Sequence, residues 1–227
     1  MSLTWIISII ILSIIFIDII VISLFFTKQI DEENNSFLRT FPFEILKHSA
    51  KNGEIYKILI YIFSIFCFLP LLIVTEGTGS LSNLDSMSII ICIILGFDAI
   101  VFLFINIFDV THVKAHLILF TLFSGLTMLG GFLILARDIV AYKTFIKYGN
   151  SSILLLICGI LTAIVLVFSL LISINPKLKE WARLEEIPGE KVIYKRPKRF
   201  VLAYSEWALF LSLYLFEILY FVQLLAK

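Results

Sequence analysis

The sequence predicts an all-α polytopic membrane protein: a bundle of six transmembrane helices with short interfacial segments in its first and fifth loops. Three observations lead there. Of 227 residues, 60% are hydrophobic and only 15% charged, whereas soluble domains are about half apolar and about a quarter charged. The mean hydropathy is +1.05, an apolar excess that one water-facing core of this size does not absorb. The apolar residues also come in unbroken stretches, and a helix needs about 20 of them to cross the hydrocarbon. A net charge of +1 removes the basic footprint of a nucleic-acid binder, and the composition excludes a disordered chain or a soluble enzyme.

Span one, residues 4–26, is Ile-rich, reading TWIISIIILSIIFIDIIVISLFF. That is poor helix sequence in water, but in lipid the unsatisfied backbone enforces a helix regardless. It has no basic residue before it and no small-residue cleavage site after it, so it reads as a retained helix. Span two, 55–75, contains Pro70, which should kink it. Spans three and four, 86–108 and 115–136, are separated only by Asp109-Val-Thr-His-Val-Lys114. One helix across both would be roughly 75 Å long, so a tight turn is expected. Span five is 151–174 and span six 200–225. The whole chain, 1–227, reads as a single integral membrane domain, without repeats.

Orientation follows from the basic residues. Lys28, Arg39, Lys47, Lys51 and Lys57 surround loop 1, Lys114 lies in loop 3, and eight more lie in loop 5. The opposite face has only Arg137, Lys143, Lys147 and Lys227. Loops 1, 3 and 5 are therefore expected in the cytoplasm and both termini outside, in the plasma or cytoplasmic membrane.

In loop 1, an acidic-polar run gives way to Phe37, Phe41 and Ile45, which are expected on the membrane surface in two pieces broken by Pro42. In loop 5, residues 176–187 suggest an interfacial helix with Leu178, Trp181 and Leu184 on one side. The basic cluster Lys195, Arg196, Lys198 and Arg199 then serves topology, with anionic-lipid binding as the functional alternative. Cys67, Cys92 and Cys158 fall in different spans and read as small apolar fillers. Gly125, Gly130, Gly131, Ser124 and Thr127 make a close-packing face on span four.

Chemistry is sought in polar groups at membrane depth, which are costly and usually face the interior. Asp18, Asp98 and Glu217 qualify, with Glu206 shallower. Glu206 and Glu217 are eleven residues apart and share a helical face, as do Asp98 and Asp109, with Asn106 close to that stripe. No Lys or Arg is expected at comparable depth. Such acids must take up a proton, hold a cation or pair with another subunit. Asp109, His112 and His116, if helical, share one side in a pattern that suits a divalent metal, although the expected turn breaks the register. No enzyme signature occurs, and no catalytic residue or cofactor is assigned.

The leading expectation is a small proton- or cation-coupled carrier or channel subunit lined by Asp18, Asp98 and Glu217, rather than an enzyme. One alternative is a non-catalytic subunit or scaffold whose acids face a partner's basic residues, so other membrane subunits or a homo-oligomer join the bilayer as expected partners, with nucleic acid excluded. A second is an interfacial lipid-modifying enzyme using Asp109, His112 and His116 with the basic cluster on a phosphate headgroup.

Overall fold

The computed structural model describes residues 2–30, 40–42, 44, 50–68, 83–107, 113–147, 153–179, 183–185, 193–195 and 201–225. Six long helices occupy most of them: α1 (Ser2–Ile30), α2 (Ala50–Phe66), α3 (Asn83–Ile107), α4 (Val113–Lys147), α5 (Ile153–Ser173) and α6 (Val201–Leu225). Five carry a stretch long and apolar enough to cross a membrane: Ile6–Phe25, Ser86–Ile107, Lys114–Thr144, Ile153–Ser173 and Val201–Leu224. The chain is thus an all-α integral membrane protein with several crossings. The second expected span is described as helix only to Phe66, and its remainder, with Pro70, lies outside the described residues.

Helix α6 is the hub, packed against α1, α3, α4 and α5, while α2 lies against α1 and α3. Its side chains are buried almost all round, from Leu202 to Leu224. The outer helices bury one stripe each. On α5 this is Leu155, Cys158, Thr162, Leu166, Ser169 and Ile172, the i, i+3, i+4 spacing of one helical face. Apolar burial gives no drive for association inside lipid, so close packing and interhelical hydrogen bonds must hold the bundle. Ser64 Oγ donates across to the Ala99 carbonyl at 3.1 Å, and Ser124 Oγ to Ser173 Oγ at 2.6 Å. Phe16 stacks on Tyr214 with centroids 3.9 Å apart, and the Tyr214 hydroxyl donates to Ser13 Oγ at 2.9 Å.

Two expectations about the elements are corrected. The fourth helix does not end at 136 but runs to Lys147, because nothing in residues 137–147 breaks a helix. Arg137 is therefore not a loop residue. Nor is the interfacial helix expected over 176–187 found in its described residues, 176–179 and 183–185. A short 3-10 turn (Pro176–Lys179) is followed by β1 (Arg183–Glu185), which pairs antiparallel with β2 (Ile193–Lys195). The intervening sequence contains Pro188 and Gly189, residues that favour a chain reversal.

Candidate functional site

The buried polar side chains form three tiers along the bundle interior. The contacts between α3 and α4 set their order. Ser88 meets Arg137, and ten residues forward on α3 and ten back on α4 Asp98 meets Thr127, so these helices are antiparallel. His116 meets Glu206 and Asp138 meets Gln223, so α4 and α6 run the same way. The tiers on α4, at residues 116, 127 and 137–138, are each separated by about 16 Å at 1.5 Å per residue.

The first tier centres on His116 and Glu206, both fully buried, with His116 Nε2 and Glu206 Oε1 2.6 Å apart. The other Glu206 oxygen has no partner. Tyr56 and Asn106 stand at the same level, the Tyr56 hydroxyl donating to Asn106 Oδ1 at 3.4 Å. A loop-1 segment caps this tier. Trp207 Nε1 donates to the Thr40 carbonyl at 2.9 Å, and the Phe41 ring meets the His116 imidazole edge-on at 5.8 Å. The Phe41 amide donates to Glu44 Oε2 at 2.9 Å, and Glu44 N returns to the Phe41 carbonyl. Phe41 was expected on the membrane surface. It is 1% exposed, with the preceding residue, Thr40, tied into the bundle by the Trp207 indole. Phe37 and Ile45 lie outside the described residues.

The middle tier holds Asp98 and Glu217, both 0% exposed and within electrostatic reach of each other. Asp98 Oδ2 is 2.7 Å from Thr127 Oγ1, whose hydroxyl is also 2.8 Å from the Phe123 carbonyl. Asp98 Oδ1 and both Glu217 oxygens have no hydrogen-bond partner. The Cys67 thiol lies beside Glu217.

The third tier is the one that was missed. Arg137 is 2% exposed, against the expectation that no basic residue lies at depth. Its Nε donates to Ser88 Oγ at 3.0 Å and its Nη1 to Gln223 Oε1 at 3.3 Å, with the guanidinium 5.5 Å from the Tyr220 ring centroid. Gln223 Nε2 in turn donates to Asp138 Oδ2 at 2.6 Å. The guanidinium is tolerable there because hydroxyl, amide and ring face replace its water. The signal lay in residues 137–147, where neither Gly nor Pro occurs before Gly149.

Between the first and middle tiers the space is aromatic. Phe102 stacks on Phe210 at 4.3 Å, Phe63 meets Phe210 at 5.0 Å and Phe123 meets Phe102 at 5.3 Å. Neither a family model, nor a curated protein, nor a solved structure matches this chain.

Of the expected acids, then, Asp98 and Glu217 converge, and Glu206 lies eleven residues away on α6, nearer the start of the crossing. Asp18 is not among them. It is exposed on the outer side of α1. Of the expected metal set, His116 turns inward to Glu206, while Asp109 and His112 lie outside the described residues; among the described residues no three His, Cys, Asp or Glu converge. Lys195 sits in β2 opposite Arg183, while Arg196, Lys198 and Arg199 are outside the described residues. The three cysteines are buried and unpaired by disulfides.

Proposed function

We propose that this protein is a small proton-coupled carrier whose transported proton binds at Asp98 and Glu217. The observation that carries the reading is the middle tier: two carboxyl groups share one buried interior in which, among the described residues, only the Thr127 hydroxyl on Asp98 and the weakly donating Cys67 thiol beside Glu217 meet them. The Thr127 hydroxyl has one hydrogen but two acceptors in range, Asp98 Oδ2 and the Phe123 carbonyl. A proton on Asp98 resolves the conflict, since Asp98 then donates to Thr127 and Thr127 donates to the backbone. Each carboxyl is tolerated in a desolvated interior only by being neutralised, and among the described residues the buried guanidinium, Arg137, stands a tier away. Along α6 the Glu206 tier lies eleven residues, about 16 Å, from Glu217, too far for a direct relay, whereas Gln223 lies six residues, about 9 Å, beyond it. Protons therefore arrive at the middle tier when the aromatic layer or the opposite packing layer opens, as alternating access requires. His116 and Glu206 serve as the station at one end.

The test is proton flux into proteoliposomes loaded with a pH-sensitive dye and driven by a potassium diffusion potential. Asp98→Asn and Glu217→Gln should each lower flux by about tenfold or more while leaving the protein folded. Replacing external potassium-free buffer salts with sodium should leave wild-type flux unchanged if the proton is the ion carried. Wild-type flux retained in both variants overturns the reading.

A further inference from the structure

Asp18 stands apart from every other acid of the bundle. It lies twelve residues into the Ile6–Phe25 crossing and seven short of its end, about 10 Å from the nearer edge. A side chain with one methylene cannot reach the headgroups over that distance. Yet it is exposed, and no Lys or Arg among the described residues pairs with it. The face around it is regular. Ile7, Ile10, Ile14, Ile17, Val21 and Leu24 follow the 3-4 spacing of a heptad seam, and each is between 46% and 56% exposed. In that register Asp18 takes the position flanking the seam, where coiled coils place the charges that choose a partner.

An exposed aliphatic face alone means only lipid. Helix α5 exposes a comparable face, from Ile153 to Leu171, and no charged residue occurs anywhere in it. What distinguishes α1 is an acid at depth in the middle of the seam. We infer that the Ile7–Leu24 face of α1 docks a transmembrane helix of another protein, one that presents a Lys or Arg to Asp18. Charge decides between occupants. A second copy of this chain would bring the same seam, and α1 has no basic residue before Lys28; two copies would set acid near acid with no cation between them. A lipid chain would leave the carboxyl group in hydrocarbon without a hydrogen-bond partner. A basic helix neutralises it and fills the seam with knobs against Ile14, Ile17 and Val21. The inference does not depend on proton transport, since Asp18 takes no part in the interior tiers.

The experiment uses the full-length protein, donor-labelled and reconstituted at high dilution in neutral phosphatidylcholine vesicles. The probe is an acceptor-labelled oligo-Leu transmembrane peptide with a single central Lys, and its control has Leu at that position. Wild type should bind the Lys peptide about tenfold more tightly than the control, or ~1.4 kcal/mol. Asp18→Asn should abolish the preference, and Asp98→Asn, whose acid is buried on another helix, should keep it. Because Asp18 is exposed and no hydrogen bond or ion pair joins it to the described residues, Asp18→Asn should fold as wild type does. Equal binding of the two peptides by wild type overturns the inference, as does a preference that survives Asp18→Asn. So does an Ile17→Cys variant that forms disulfide-linked dimers at the same dilution without peptide, because the seam would then belong to a second copy.

Discussion

Gln223 serves two ionisable neighbours at once. Its carbonyl oxygen accepts from Arg137 and its amide donates to Asp138, so the two partners together fix which way the amide points. Gln223→Met keeps the length of the side chain and removes both contacts. Arg137 would retain Ser88 and the Tyr220 ring, but Asp138, whose Oδ1 already lacks a partner, would lose its bond to Gln223. Leaving two buried polar groups unsatisfied costs about 2–4 kcal/mol. Unfolding in mixed micelles should show that loss, and a change below about 0.5 kcal/mol would mean the network carries no stability. At this scale the sequence was partly legible. The depths of Asp98, Glu206 and Glu217 follow from their positions in apolar runs, and their shared interior follows from helical periodicity. The direction of Asp18 did not follow, because α1 is Ile-rich on every side and so has no polar face to set its rotation. Arg137 was hidden by its own charge, which ended the apolar count one residue too early.

Between elements, contact distance decides which glycines matter. The sequence placed Gly125, Gly130 and Gly131 on one packing face, and the structure separates them. A Cβ on Gly131 would lie 2.5 Å from Phe216 Cζ and 3.0 Å from Leu166 Cδ1, while one on Gly130 would lie 2.8 Å from Leu95 Cδ2. A Cβ on Gly125 meets nothing within 4 Å. Phe216 is itself 0% exposed, so its ring cannot swing out into lipid to make room. Gly131→Ala should therefore push α4 off α6 and destabilise the bundle by about 1–3 kcal/mol. Gly125→Ala should be neutral or stabilise by up to about 1 kcal/mol through helix propensity. Thermal unfolding of the two variants in one detergent checks the contrast, and equal melting temperatures would mean that helix approach does not depend on this position. Six helical segments were legible from hydropathy. The strand pair in loop 5 was not, since three-residue strands are too short to leave a periodic signature.

For the whole molecule, the order of layers matters more than any single contact. Reading along α6, the Trp207 anchor and the Glu206 pair come first, the Phe210 ring next, then Glu217, and then Tyr220 and Gln223. Phe210 touches rings from three other helices, Phe16, Phe63 and Phe102, with centroids 5.2, 5.0 and 4.3 Å away. That makes it the central ring of a dry layer between the His116 tier and the Asp98 tier. A buried reporter lies just beyond it: Cys67, one turn past Phe63 on the chain and beside Glu217. With Cys92 and Cys158 replaced by Ala, a water-soluble maleimide should label Cys67 very slowly, because its thiol is fully buried. Phe210→Ala removes the ring and opens the layer. The labelling rate of the folded protein should rise by about tenfold or more as water enters from the His116 side. The cavity also costs about 3–5 kcal/mol, so near-ultraviolet dichroism must first show that native packing survives. Phe210→Leu, which keeps most of the volume, gives a second and milder variant and should label at an intermediate rate. Folded variants that label no faster than the parent would mean that the stacked rings do not separate the tiers. Faster labelling in Phe210→Ala together with wild-type rates in a Leu171→Ala control, on the exposed face of α5, would fix the barrier at the aromatic layer and not in a general loosening of the bundle.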